Sequence, residues 1–367
     1  MPQIQEPQAH QNASRKATEA NPRIVDAISS NLQWIFLGLM ALFCVSAFGV
    51  QVLHSLTQSP QQLRTSNLKS PIFTSLPQTI GVGNSPMFSV VFSPDGKTFF
   101  SGGGDRTIQQ WRTDTGKLVK TFSGHTDVVV SLAISSDGRW LASGARDQSV
   151  RLWDLQTGRT RQTILPNADL ITAVAFRPAT LDLAVGTEEG EVSLWHVGTP
   201  QPLRTVQAHQ EGIEAIAFNR QGTLLASSGE DNTIKIWNST TGDLLHTLKG
   251  HKSHPEAIVF TQDGRSLLSG AKENIRQWDV QTGQTVRIFP SASGTVRSLA
   301  LMPNSQTLVS AHADHAIRLW DLGSGKLSQT LNQHQDWVLG VAMSPDGRSL
   351  VSASRDKSIK RWFAANQ

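Results

Sequence analysis

Seven tryptophans at a period of 42 residues predict an all-β fold, a seven-bladed β-propeller, preceded by a single N-terminal transmembrane helix. Trp111, Trp153, Trp195, Trp237, Trp278, Trp320 and Trp362 are separated by 42, 42, 42, 41, 42 and 42 residues, a regularity that signals an internal repeat. Within each repeat, short apolar runs alternate with Gly, Asp and Asn turns, as strands of roughly 4–8 residues do. The final repeat stops soon after Trp362, one strand short, while a strand-like segment stands spare before the first. A closed ring of sheets explains all three observations, because radial closure leaves only short, protected edges.

The elements follow in chain order. Residues 1–31 are rich in Gln, Asn and Ala and poor in large apolar groups, so a disordered tail is expected. Residues 32–53 enclose "WIFLGLMALFCVSAFGV" (Trp34–Val50), a run without a charge. As a helix it would reach about 33 Å, enough to cross a bilayer core. A cleaved signal peptide is the rival, since "VSA" (Val45–Ala47) offers small residues. However, a long N-terminal stretch without an adjacent basic cluster precedes the run, and an uncleaved anchor is preferred. Arg15, Lys16 and Arg23 before the segment, against Arg64 and Lys69 after it, lean towards an extracytoplasmic propeller on a single-pass membrane protein. Residues 54–70 are polar and read as a flexible linker with a reach of ~20–24 Å.

Residues 71–367 are the predicted propeller, with 71–81 completing the last blade. In the second repeat, "VVVSLAIS", "RWLASGA", "SVRLWDL" and "RTRQTIL" are the four strands, separated by "SDG", "RDQ" and "QTG" turns. The text around each tryptophan recurs, as in "RDQSVRLW", "EDNTIKIW" and "RDKSIKRW", with Gly124-His125 and Gly250-His251 about 28 residues before Trp153 and Trp278. These residues resemble the WD40 repeat family, over some four-fifths of the chain, and the resemblance implies the seven-bladed ring.

A Ser, an Asp and a His recur with each tryptophan in three repeats: His125, Ser143, Asp147 and Trp153; His209, Ser227, Asp231 and Trp237; His334, Ser352, Asp356 and Trp362. The resemblance implies a buried hydrogen-bond network in each set. The physical reason is general: a buried indole N–H and imidazole need partners, and a half-satisfied network costs stability. An active site has no need to occur three times around a ring, so these residues are read as structural. Blade 1 keeps Ser101, Asp105 and Trp111 without a preceding His. Blade 3 has Val185 and Glu189 for Ser and Asp, with Asn167 at the His position. Blade 5 keeps His251, Ser269 and Trp278 on a turn one residue shorter, with Glu273 for Asp. Blade 6 keeps Ser310, Asp314 and Trp320 without a preceding His, and His312 and His315 read as a solvated pair flanking Asp314. Blades 3 and 5 are therefore expected to be the less rigid ones.

The composition excludes several functions. With 33 basic and 29 acidic residues, the net charge of +4 and the lack of a dense Lys/Arg run give no reason to expect nucleic acid. The only cysteine, Cys44, permits neither a disulfide nor a cysteine metal site within one chain. No metalloprotease, nucleophile-elbow or phosphate-loop motif is present. No catalytic residue, metal or cofactor is therefore expected.

The family resemblance implies that two positions per blade project onto the binding face. The residue before the turn Asp gives Gly104, Arg146, Glu188, Glu230, Lys272, Ala313 and Arg355; a position early in the first strand gives Phe88, Val130, Thr172, Glu214, Glu256, Arg297 and Leu339. On this reading Glu188, Glu214, Glu230 and Glu256 form an acidic side without matching bases, Lys272 being the sole exception. Arg146, Arg297 and Arg355 stand opposite, beside apolar Phe88, Val130, Leu339 and the anchor Trp337. The expected function is a membrane-tethered scaffold, monomeric as a propeller, binding a protein or peptide on this face and the lipid bilayer through residues 32–53. An exported soluble propeller, and a propeller with a ligand or enzymatic site in its central channel, are the alternatives.

Overall fold

The computed structural model describes residues 73–364, apart from 75, 167–168, 291–293 and 304–305. The expected tail, transmembrane segment and linker lie outside the described residues, as does Asn167. Those described form seven four-stranded antiparallel sheets and no helix. Six sheets are simple meanders; blade 2 runs through Val129–Ile134, Trp140–Ala145, Val150–Asp154 and Arg159–Ile164. The first strands of successive sheets lie side by side in a closed cycle, that of blade 7 next to that of blade 1.

The seventh sheet takes its strands from both ends of the described chain. Val338–Met343, Ser349–Ser354 and Ser358–Phe363 are followed outwards by Gln78–Val82, with Gln78 opposite Arg361 and Val82 opposite Ser358. Phe73 adds a bridge to Ala364, and the Thr74 N–H donates to the Phe363 carbonyl at 2.9 Å. The third strand of blade 7 would otherwise be an unpaired edge.

The core lies between the sheets. Seven apolar clusters each draw on two neighbouring blades. Trp140, Leu152, Ile171, Phe176 and Trp195, for example, join blades 2 and 3. Glycine makes the close approach possible at two such junctions. A Cβ on Gly144 would lie 2.6 Å from Ile171 Cγ2, and one on Gly186 2.6 Å from Ile213 Cγ2. Polar stitches repeat at the same period: the N–H groups of Leu132, Val174 and Val341 donate to Ser89, Ser131 and Ser298 of the preceding blade at 3.1–3.2 Å.

Candidate functional site

The recurrent His, Ser, Asp and Trp meet inside the blades. In blade 2, Trp153 Nε1 donates to Ser143 Oγ at 2.8 Å, Ser143 Oγ lies 2.7 Å from His125 Nε2, and His125 Nδ1 lies 2.9 Å from Asp147. Blade 4 repeats this through Trp237, Ser227, His209 and Asp231 at 3.1, 2.8 and 3.0 Å. Blade 7 does so through Trp362, Ser352, His334 and Asp356 at 3.0, 2.7 and 2.7 Å. Burial pushes all three imidazoles below their ordinary pKa, against the pull of the carboxylate. A neutral ring donating from Nδ1 and accepting at Nε2 satisfies every member of the set. Ser143, Ser227 and Ser352 have no exposed surface, so these hydroxyls cannot meet a substrate from solvent.

The departures from the pattern are compensated in ways the repeat text did not reveal. In blade 5, Glu273 replaces Asp, and its extra methylene spans the shortened turn to His251 Nδ1 at 2.9 Å. Ser269 then links His251 and Trp278 at 2.7 and 2.8 Å. Burial pushes the Glu273 carboxyl up, but the Ser253 hydroxyl, the Lys252 N–H and His251 outweigh it and hold it at about 2. The reason for expecting a loose blade 5 is therefore removed. In blade 6, His312 is no solvated loop residue. It is wholly buried on the second strand, with Nε2 2.8 Å from Ser310 Oγ, the acceptor of the Trp320 N–H. Burial, reinforced by Arg318, pushes its pKa down to about 4. Blade 3 replaces the lost serine from the tryptophan's own strand, Trp195 donating to Ser193 at 2.8 Å. Blade 1 keeps the Trp111–Ser101 bond at 2.9 Å.

The turns carry the predicted face residues to one end of the ring. The N–H groups of Arg146, Glu188, Glu230 and Arg355 donate to the carbonyls of Val128, Leu170, Gly212 and Trp337 at 2.8–3.0 Å. Each turn is thus pinned beside the entry to the first strand of its own blade. Arg146, Glu188, Glu230, Lys272 and Arg355 are exposed, and Phe88, Val130, Thr172, Glu214, Arg297, Trp337 and Leu339 are half-buried.

Blades 4 to 7 are bridged by a continuous chain of contacts rather than divided into acidic and basic halves. His254 Nε2 lies 3.7 Å from Glu214 and 3.5 Å from Glu256. Glu256, its side chain largely buried, also pairs with Arg297 of the next blade. The Arg297 and Arg355 guanidinium groups lie 4.8 and 4.9 Å from the Trp337 ring centre, and Arg355 reaches Asp336 at 3.8 Å. Two of the four carboxylates, Glu214 and Glu256, therefore have matching cations, contrary to the sequence expectation. Burial, then repulsion from Glu256, pushes the Glu214 carboxyl up to about 7. Arg146, Phe88, Val130, Glu188 and Lys272 stand outside this chain. His254 was missed, although it occupies the register position that Trp337 holds two blades later, two residues before the first-strand face position.

Among known proteins, the family described as nucleolar protein 10-like, N-terminal domain, matches residues 89–278, just over half the chain. The WD domain, G-beta repeat, matches 283–321 and 325–362. No curated protein matches the chain. The solved structure titled "Structure of U3-55K" superposes with a TM-score of 0.73 at 20% identity, over 80% of this chain and all of that one, a likeness of fold alone. The family match overturns the expected membrane location, because the family it leads to is described as nucleolar. Among the described residues no helix is long and apolar enough to cross a membrane. The chain is a seven-bladed β-propeller that belongs to the WD40-repeat proteins and, through residues 89–278, to the nucleolar protein 10-like family.

Proposed function

We propose that the propeller is a non-enzymatic scaffold that takes a protein or peptide partner on the face carrying Arg146, Trp337 and Arg355. The observation that carries this reading is the half-buried Trp337 flanked by two guanidinium groups and backed by the Arg297–Glu256 pair. A large aromatic held in place by cations and left accessible at the centre of a polar surface is a typical binding anchor. Glu188 and Glu230 on one side and Arg146 on the other supply the charge pattern that would orient the partner. The family description supports a nucleolar setting, which imaging of the tagged chain would check.

Affinity capture with the wild-type propeller and an Arg146→Ala/Trp337→Ala/Arg355→Ala variant tests the face. Specific partners should be lost from the variant while its thermal unfolding stays close to wild type. Retention of every partner by the folded variant would sink the proposal.

A further inference from the structure

Arg361 is a buried charge with no carboxylate partner among the described residues. It stands one residue before Trp362, where blades 2, 3, 4 and 6 have Leu152, Leu194, Ile236 and Leu319. The residue is only 8% exposed. Its Nε and Nη2 donate to Ser349 Oγ at 3.2 and 3.0 Å, and Nη1 donates to the Asp114 carbonyl of blade 1 at 3.2 Å. Its guanidinium also lies 4.3 Å from the centre of the Phe363 ring. A guanidinium has five N–H groups in a rigid fork, so neutral oxygens take only part of its capacity. Isolated buried charge is costly, and burial lowers the pKa of this group despite the fields of Asp114 and Asp346.

Arg361 lines a groove of about 1460 Å³ across blades 7, 1 and 2, at the strand ends opposite the partner face. Four aspartates also line it, and each is engaged locally. Asp95, Asp137 and Asp346 accept the hydroxyls of Ser93, Ser135 and Ser344 at 2.5–2.7 Å, and each also accepts a backbone N–H of its own turn at 3.0 Å. Asp114 is gripped by Arg112 at 2.9 and 2.6 Å. The rim cations are held more loosely. Lys97 reaches Asp95 only at 3.9 Å, Arg139 reaches Asp154 at 3.7 Å while lying 5.0 Å over the Trp140 ring, and Arg348 is exposed beside them.

We propose that this groove is an oxyanion-binding site, with Arg361 as its buried charge and Arg348, Lys97 and Arg139 at its rim, for a ligand bearing a carboxylate or phosphate group. A planar guanidinium matches either group bidentately, and its partly desolvated position strengthens the contact. The rival explanation is that Arg361 only ties blade 7 to blade 1 through the Asp114 carbonyl. The two differ in what added anions do.

The test is thermal unfolding of the full chain, titrated with inorganic phosphate and separately with succinate, at ionic strength held constant with sodium chloride. Wild type, Arg361→Gln and Arg348→Ser are compared. Glutamine holds the equivalent position in blades 1 and 5, where Gln277 donates to Ser266 at 3.0 Å, so Arg361→Gln has a precedent in the same fold. Wild type should show a saturable rise in Tm of several degrees with at least one anion, as ligand linkage requires. Arg361→Gln should abolish that rise, and Arg348→Ser should shift its midpoint to at least several-fold higher anion. Saturation by phosphate alone assigns a phosphate ligand, and by succinate alone a carboxylate ligand. A wild type that neither anion raises above the sodium chloride control overturns the site, as do variants that keep the wild-type titration. Should Arg361→Gln fail to fold, the Arg348→Ser titration decides.

Discussion

The Arg297 guanidinium lies 4.8 Å from the centre of the Trp337 indole while Nη1 pairs with the Glu256 carboxylate. One side chain from blade 6 thus couples an acidic group of blade 5 to the aromatic group of blade 7. Trp337→Ala should weaken partner binding by at least about 2 kcal/mol, the scale of an interface anchor, while costing less than about 1 kcal/mol of stability. Binding titrations beside thermal melts separate the two. Equal losses in both would make Trp337 a packing residue.

Arg297→Ala should be worse for the fold than Trp337→Ala. It leaves Glu256 largely buried beside Glu214, with His254 as its remaining cation, a loss on the order of 3 kcal/mol. Arg297→Ala/Glu256→Gln should recover part of that loss in denaturant unfolding. A double variant no more stable than the single one would contradict the pairing.

Glu273 closes the blade 5 network from a shortened turn, so Glu273→Asp, one methylene shorter, should behave like a deletion. The expected cost is about 1–3 kcal/mol, from leaving His251 Nδ1 unpaired. Hydrogen exchange in blade 5 should be as slow as in blade 2 in the wild type and accelerate selectively in the variant. Fast exchange in wild-type blade 5 would restore the view of it as loose.

Buried His312 and half-buried Glu214 give opposite pH dependence. His312 has its pKa depressed to about 4 in the folded state, so its contribution is present above the unfolded value near 6.5 and is lost as pH falls towards 4. Glu214 has its pKa raised to about 7 from 4.5. Its contribution is full below about 4.5 and is lost as pH rises through 7. Glu214→Gln should therefore gain on wild type as pH goes from 5 to 8, by up to about 3 kcal/mol. Melts at the two pH values read this directly, and an unchanged difference would show that Glu214 titrates normally.

Gln148 holds a left-handed φ of 65° at the blade 2 turn, where blade 3 has Gly190 at 84°. Gln148→Gly removes the Cβ penalty at that angle and should stabilise by about 0.5–1 kcal/mol. A lower Tm would mean that the Gln side chain makes a contact worth more than the strain.

Deleting residues 70–81 removes Gln78–Gly81, all but Val82 of the outer strand, and leaves the third strand of blade 7 largely without its outer neighbour. The deletion should lower Tm by ten degrees or more and promote association through the bared edge. An unchanged Tm with monomeric behaviour would show that the strand is dispensable.

The repeat period made the architecture legible before any coordinate was known. Seven tryptophans at one spacing, strand-length apolar runs and a missing final strand leave a closed ring as the arrangement that pairs every edge. The three full His–Ser–Asp–Trp sets were readable for the same reason, since each lies at fixed offsets within one repeat. His312 and Ser193 were not, because each replaces a missing partner from a different place in its blade, and a linear pattern records only the loss.

The partner face shows the boundary most clearly. Which positions reach it is what the family resemblance implies from offsets within one blade, and on that basis Trp337, Arg355 and Glu256 could be named. Which of them touch depends on contacts between blades, 41 residues apart for Arg297 and Glu256 and 247 for Arg361 and Asp114, yet side by side in the ring. Arg297 meeting both Glu256 and Trp337, His254 between two glutamates, and Arg361 buried at the seam with Asp114 all arise there. Strand and turn propensities act within a blade and leave their mark on local sequence. The ion pairs and buried charge arise from the packing of separate sheets, because distance in space, not along the chain, sets their energy.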